Sequence, residues 1–199
     1  SVTVIDTRVF ENCYALDNVT IPADVTEIGY AAFLNCKSLK NINILSDKIT
    51  RLAGEAFKGC SSLESIELPD SINEMDYYVF CDCISLKTIN LPNGITRLPY
   101  YMFENCQALQ KVTLPQSLKT IGNVAFINCI SLKEIVIPST VETIDSSAFF
   151  GCASLTKVVF EGLNINFANY VFQMCNKNLT FYAHKNSTAN NPEIFGVNE

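Results

Sequence analysis

The chain has 199 residues, of which 48% are hydrophobic, and its formal net charge is −6. This length is that of one domain, with enough apolar residues for a core. The negative charge, with lysine and arginine dispersed along the chain, argues against binding to nucleic acid or to an anionic membrane surface. There is no run of about 18 apolar residues, so the sequence predicts no membrane-spanning segment.

One motif repeats along the chain with a nearly constant period. Eight phenylalanines lie 23 residues apart, except for one interval of 24. They are Phe10, Phe33, Phe57, Phe80, Phe103, Phe126, Phe149 and Phe172. Each is followed three residues later by a cysteine, and most of these cysteines by a leucine three residues further on. A fixed period of this length predicts a solenoid, in which each coil buries its apolar face against its neighbours.

The predicted elements follow in a fixed order within each unit. In the third full unit, residues 66–68 have the alternation of a β-strand with one buried face. Pro69 then ends the strand, because proline lacks a backbone donor. Ile72 and Met75 predict a second extended segment, and we expect a tight helical turn before the next phenylalanine. Residues 45–48 replace the proline turn of the other units and explain the single longer interval.

The predicted fold is a β-rich solenoid of about eight coils of 23 residues, with a parallel sheet and little helix. Residues 1–183 form the repeats, the first of them partial, and residues 184–199 are expected to form a C-terminal cap. Val2 and Ile5 occupy the repeat positions of Val25 and Ile28. We therefore expect the chain to begin within a repeat, with a targeting signal further upstream.

The repeat resembles the BspA-like leucine-rich repeats of bacterial surface proteins, also described as the Treponema type. The shared pattern is Leu-x-x-Ile-x-Leu-Pro-x-x-Ile-x-x-Ile followed by Ala-Phe-x-x-Cys, and it is clearest at residues 63–83 and 132–152. The resemblance covers about residues 2–183. It implies the leucine-rich repeat superfold and a secreted or surface-attached protein of a host-associated bacterium, acting in adhesion and protein recognition. It implies no catalytic residues and no cofactor.

Cysteine is frequent, with nine residues in the chain. Eight of them share one repeat position and therefore form a column: Cys13, Cys36, Cys60, Cys83, Cys106, Cys129, Cys152 and Cys175. Side chains of one column point the same way, which disfavours disulfides, and they do not converge on a metal ion. We interpret them as buried structural thiols, with some disulfides or a metal site as the alternatives. Cys81 lies outside the column and is expected to face outward as a free thiol.

The strand residues between the buried positions are expected to face solvent and to form a binding surface, which we call the strand face. One column contains Asn41, Ser65, Thr88, Lys111, Glu134 and Lys157, and the other contains Asn43, Glu67, Asn90, Thr113, Val136 and Val159. Amides and hydroxyls prevail in the first half, whereas Val136, Val159 and Tyr182 form an apolar strip in the second. The alternative interpretation is an ordinary solvated sheet.

A second candidate surface is the tyrosine patch, which consists of Tyr77, Tyr78, Tyr100 and Tyr101. The two pairs occupy the same repeat positions in adjacent units and are expected to stack. Tyrosine is common at recognition surfaces, because its ring is flat and rigid and carries a hydroxyl. The alternative is that one tyrosine of each pair packs beneath the turn.

These features predict a non-enzymatic, secreted or surface-bound module that binds protein through the strand face, for example a host matrix or cell-surface protein. The alternatives are a structural spacer that holds another domain, and a carbohydrate-binding module that uses the tyrosine patch. An enzyme is disfavoured: the single histidine, His184, lies in the predicted cap, and the eight glycines form no phosphate-binding loop. Glu74 and Asp76 are expected on solvated turns.

Overall fold

The computed structural model describes residues 2–183, 185 and 186, and it contains no helix within that part of the chain. Sixteen short strands follow one another. They are β1 (Val4–Ile5), β2 (Asn18–Ile21), β3 (Glu27–Ile28), β4 (Asn41–Ile44), β5 (Arg51–Leu52), β6 (Ser65–Ile66), β7 (Glu74–Met75), β8 (Thr88–Asn90), β9 (Arg97–Leu98), β10 (Lys111–Thr113), β11 (Thr120–Ile121), β12 (Glu134–Ile137), β13 (Thr143–Ile144), β14 (Lys157–Phe160), β15 (Asn166–Phe167) and β16 (Thr180–Ala183). The predicted cap lies outside the described residues, except for Lys185 and Asn186, which are exposed.

The strands form two parallel stacks along the solenoid. The even-numbered strands form the strand face, in the sheets β2–β4, β6–β8–β10 and β12–β14–β16. The odd-numbered strands form a second side, in the sheets β1–β3–β5–β7 and β9–β11–β13–β15. The register places equal repeat positions opposite each other, as in Thr88 opposite Lys111. The predicted solenoid of about eight coils, with parallel strands, is confirmed.

The third side of the solenoid consists of turns, so the expected tight helical turn is wrong. Two residues of each coil have a left-handed backbone on this side, such as Tyr78 and Asp82, both with φ of 60°. Between them, the N–H of Phe80 donates to the carbonyl of Met102 in the next coil, at 3.1 Å. Left-handed residues cannot continue a right-handed helix. The backbone therefore bonds between coils on this side as well.

The core is a set of continuous side-chain columns, as the repeat predicts. The phenylalanine rings from Phe33 to Phe172 are fully buried. Successive rings in the column are stacked, with centroids 5.0–5.7 Å apart. Phe10 is only half-buried, because it belongs to the first coil. Each coil thus depends on its neighbours for the burial of its largest side chain.

The cysteine column lies within this core and adds bonds between coils. The Cys60 thiol donates to the Phe33 carbonyl in the preceding coil, with an S–O distance of 3.2 Å. The same bond recurs in every coil from Cys36 to Cys175. All nine cysteines are free. This geometry agrees with the interpretation of the column as structural thiols.

Cys81 does not face outward, and the expectation of an exposed thiol is wrong. Its side chain is only 1% exposed. Its sulfur lies 3.4 Å from a carboxylate oxygen of Asp82 and 3.4 Å from one of Glu104. Glu104 occupies the same repeat position in the next coil and is longer than cysteine, so the thiol lies beneath it. Burial, together with these two carboxylates, raises the pKa of the Cys81 thiol.

The extra residue of the 24-residue interval lies in the turn between β4 and β5. Ile21 pairs with Ile44 at an offset of 23, whereas Ile28 pairs with Leu52 at an offset of 24. Ser46, within this turn, is buried, and its hydroxyl donates to the Val25 carbonyl. The hydroxyl also accepts the N–H of Lys48 at 3.1 Å. A side-chain hydrogen bond therefore holds this longer turn in place of the proline.

Candidate functional site

The two predicted columns of the strand face lie side by side on the even-numbered strands. The alternation places their side chains outward while Ile42, Ile66 and Ile89 of the same strands are buried. Eleven of the twelve predicted residues are exposed. These are Asn41, Asn43, Ser65, Glu67, Thr88, Asn90, Lys111, Thr113, Glu134, Val136 and Lys157. Because the register is kept within each of the three sheets, the columns there are rows of side chains at intervals of about 4.8 Å.

The first half of the strand face is a row of hydrogen-bonding groups. Asn41 donates its amide N–H to the amide oxygen of Asn18, at 2.9 Å. Each of these amides keeps further donor and acceptor capacity that points toward solvent. A shallow hollow of about 190 Å³ lies between β4 and β6 and includes Asn43, Ser65 and Glu67 in its lining. This half of the face is therefore suited to polar contacts with a backbone or a hydroxylated ligand.

The second half contains the predicted apolar strip, but in a different form. Val136 is 44% exposed and Tyr182 is 52% exposed. Val159 lies between them in register and is only half-buried, so the strip is interrupted at its middle residue. The ammonium of Lys157 lies 5.8 Å from the centre of the Tyr182 ring. This half of the face therefore combines apolar surface with positive charge.

The folded chain also places four lysines in consecutive coils along the strand face, which the sequence did not suggest. They are Lys87, Lys111, Lys133 and Lys157, and we call them the lysine row. They alternate between the position just before a strand and the first position of a strand. For this reason no single repeat column reveals them, although each of the four coils that contain Phe80, Phe103, Phe126 and Phe149 contributes one.

The tyrosine patch lies on the third side, away from the strand face. Tyr77 stacks on Tyr100 with centroids 5.6 Å apart, and Tyr78 stacks on Tyr101 at 4.6 Å. Tyr77 is 38% exposed and Tyr100 is 43% exposed, whereas Tyr78 and Tyr101 are half-buried. The expected stacking is confirmed. The outer pair is available for contact, and the inner pair packs against the turn.

The surroundings of the patch are both basic and acidic. The ammonium of Lys58 lies 4.5 Å from the centre of the Tyr78 ring. Burial, then the neighbouring Tyr101 and Glu104, raises the pKa of the Tyr78 hydroxyl. The Tyr78 hydroxyl therefore acts as a neutral hydrogen-bonding group near pH 7.

The structure does not assemble a catalytic group from the acidic residues considered above. Asp76 and Glu74 both contact Arg51, at 2.6 and 3.7 Å. No cluster of histidine, cysteine or acidic side chains suited to a metal ion occurs in the described part of the chain. That part also contains no helix long and apolar enough to span a bilayer. His184 lies outside it.

Sequence reasoning also missed a column of amides beside the cysteines. Asn35 donates to Asn12, Asn105 donates to Asp82, and Asn128 donates to Asn105, all at 2.9–3.0 Å. These residues have left-handed backbones, which asparagine and aspartate tolerate better than most residues. Gly59 and Gly151 occupy the same position. The recurrence of Asn, Asp or Gly just before the cysteine was a readable signal of this column.

Comparison with known proteins identifies the repeat. The family model described as "BspA type Leucine rich repeat region" matches in six copies, over residues 1–110 and 50–180. A search of curated protein sequences finds no match.

Similar solved structures come from several bacteria. A leucine-rich cell surface protein from Faecalibacterium prausnitzii is 27% identical, with a TM-score of 0.64 over 92% of this chain and 65% of that protein. The leucine-rich repeat protein of T. pallidum is 28% identical, with a TM-score of 0.62 over 90% of this chain and 72% of that one. A leucine-rich repeat protein from Eubacterium ventriosum is 26% identical, with a TM-score of 0.77 over 88% of this chain and 47% of that one. The chain therefore spans less than two thirds of two of these three proteins.

Proposed function

The chain belongs to the BspA-type leucine-rich repeat family, of the bacterial surface-protein type, and we propose that it is a non-enzymatic module that binds a protein partner through the strand face. The observation that supports this most is the exposed, in-register array of polar side chains on the even-numbered strands. Such an array offers many hydrogen-bonding groups at fixed spacing on a scaffold of paired strands. A rigid surface loses little conformational entropy when it binds.

We place the module outside the cell, at the surface or secreted. The name of the Faecalibacterium structure, a cell surface protein, supports this. A host matrix or cell-surface protein is the partner class that this location makes available. The reduced cysteine column is compatible with it, because the thiols from Cys36 to Cys152 are buried in the core and each donates a hydrogen bond.

The test is a binding screen followed by substitution on the strand face. The purified domain is presented to a panel of matrix and plasma proteins, and a saturable hit is measured again with Thr88→Trp, Lys111→Glu and Thr113→Trp combined. We expect at least a tenfold loss of affinity, since the three residues are exposed neighbours on β8 and β10. A matched variant on the second side, with Thr50→Trp, Thr96→Trp and Lys119→Glu, should bind as the wild type does. Equal binding by all three proteins would overturn the proposal.

A second candidate function is glycan binding at the tyrosine patch. It is favoured by the stacked and exposed pair of Tyr77 and Tyr100, whose rings offer a flat apolar platform with hydroxyls at the edge. A glycan array should then give a hit that disappears when Tyr77, Tyr78, Tyr100 and Tyr101 are replaced by serine, in a variant whose thermal unfolding stays cooperative. Silence in both screens would favour a structural spacer.

A further inference from the structure

The lysine row makes one part of the strand face positive on an acidic protein. The whole chain has a net charge of −6. Residues 87–90, 110–113, 133–137 and 156–160, which are the strands of four consecutive coils with the residues at their edge, contain four lysines and one glutamate, a net charge of +3. Charge of one sign gathered on a surface attracts a partner of the opposite sign and orients its approach.

The members of the row differ in how far their charge is already neutralised. Lys87 contacts Glu64 at 2.6 Å, and Lys157 contacts Glu134 at 3.4 Å. Lys111 and Lys133 form no ion pair with any residue that the structure describes. The two middle lysines, which lie in adjacent coils, are therefore not paired with a carboxylate of the described residues.

Three of the four lysines line a depression that a ligand side chain can enter. A hollow of about 400 Å³ is lined by Gln110, Lys111, Lys133, Glu134, Thr156 and Lys157. The exposed Val136 is two residues further along the same strand as Glu134. Positive charge and apolar surface thus lie side by side on this half of the strand face.

We propose that the lysine row, with Val136 beside it, binds an extended acidic segment of the protein partner that lies along the solenoid axis. The inference rests on the proposed function and names the chemistry of the partner. Four coils span about 14 Å at a spacing of 4.8 Å, which is the length of about four or five extended residues. Acidic side chains on one edge of such a segment meet the lysines, and apolar side chains on the other edge meet Val136.

Two features favour a peptide over a sulfated polysaccharide. Val136 is exposed beside the lysines, and a peptide supplies apolar side chains for it while a sulfated sugar chain does not. Glu134 stands within the row and repels a dense polyanion, whereas a segment with separated acidic residues avoids it. The exposed lysines bring little binding energy through any single pair, so the row acts through its combined field.

The experiment uses a labelled nine-residue peptide in which glutamate alternates with valine, and a control peptide with glutamine in place of glutamate. We expect the glutamate peptide to bind at least tenfold more tightly than the control at 50 mM NaCl, and to weaken as the salt is raised to 300 mM. Lys111→Glu combined with Lys133→Glu should reduce its affinity at least tenfold. The matched variant, Lys37→Glu with Lys40→Glu, has the same net charge and should lose less than twofold.

A further variant guards against loss of folding as the explanation. Glu134→Gln removes the competing carboxylate and should tighten binding of the glutamate peptide about threefold, a gain that misfolding cannot produce. Equal losses in the two lysine variants, absence of glutamate-peptide binding, or a preference for sulfated dextran that depends on the row would each overturn the inference. A protein partner that is lost with the Thr88 and Thr113 substitutions but is unaffected by the lysine reversal would overturn this inference alone and leave the proposed function standing.

Discussion

The thiol of Cys83 donates a hydrogen bond to the carbonyl oxygen of Phe57 in the preceding coil, with an S–O distance of 3.1 Å. The same carbonyl accepts the backbone N–H of Cys60, also at 3.1 Å. One carbonyl oxygen thus joins its own coil to the following one through two cysteines. Cysteine fits this position because it is small, readily buried and a weak donor.

Two replacements of Cys83 should show how much the volume of its side chain and its hydrogen bond each contribute to stability. Cys83→Ala should lower the free energy of unfolding by about 1 kcal/mol, because the Phe57 carbonyl keeps its second partner. Cys83→Val should cost more, about 1–3 kcal/mol, since it adds a methyl group to a filled column. Denaturant unfolding under reducing conditions measures both. A valine variant as stable as the wild type would show that the column is not closely packed.

The cysteine column should make stability fall at alkaline pH. Burial raises the pKa of Cys36 to about 11, from 9.0, and that of the fully buried Cys83 well above 9.0. Between pH 9 and about pH 11, the Cys36 thiol of the unfolded chain has lost its proton while that of the folded chain retains it. The free energy of unfolding therefore decreases as the pH rises. The contribution is complete below about pH 9 and is lost as the pH rises through about 11.

Denaturant unfolding at pH 8 and at pH 10.5 tests this sign. The wild type should lose more stability between the two conditions than Cys36→Ala, in which one of the shifted groups is absent. Identical pH dependence in the two proteins would contradict the assignment.

The stacked phenylalanine column should dominate the stability of the coils. Phe103→Ala should cost about 3–5 kcal/mol, as is typical for a large buried aromatic side chain. Because the core side chains of each coil pack against those of its neighbours, the loss should also uncouple the flanking coils and broaden the unfolding transition. Tyr14→Ala, at a residue that is 54% exposed, serves as the control and should change stability by less than about 0.5 kcal/mol. A loss below about 1 kcal/mol for Phe103→Ala would contradict the burial of the column.

In the amide column, two substitutions at Asn105 should separate the effect of backbone strain on stability from that of hydrogen bonding. This residue has φ of 57°, donates to Asp82 at 2.9 Å and accepts from Asn128 at 3.0 Å. Asn105→Gly and Asn105→Ala both lose these hydrogen bonds, but only alanine is strained in the left-handed region. Alanine should therefore cost about 1 kcal/mol more than glycine. Equal thermal stability of the two variants would mean that the backbone at this position relaxes.

The repeat made most of the fold predictable from the sequence. The period of Phe33, Phe57 and Phe80 predicted the solenoid, its buried columns and the outward positions of its strands, because only one structural unit had to be deduced and then stacked. The turn was harder to predict. Its first left-handed column contains residues as different as Ala31, Tyr78 and Val124, and none of them indicates a left-handed backbone by its type.

Two other features that the sequence did not predict depend on the residues of adjacent coils. Cys81 was expected to be exposed from its place beside the cysteine column, but the longer Glu104 of the next coil covers it. The lysine row was invisible in the sequence, because its members alternate between two repeat positions. Contacts of this kind depend on side-chain lengths in adjacent coils, which a column-by-column reading of the sequence does not combine.

Photo-crosslinking tests the central claim, that the strand face is the binding surface, most directly. A benzophenone amino acid is placed at Thr113 on the strand face, at Thr96 on the second side or at Tyr100 in the tyrosine patch, and each protein is irradiated with a protein partner from the binding screen. We predict a crosslinked product from the Thr113 position and none from Thr96 or Tyr100. Crosslinking from Thr96 or Tyr100, with none from Thr113, would contradict the account.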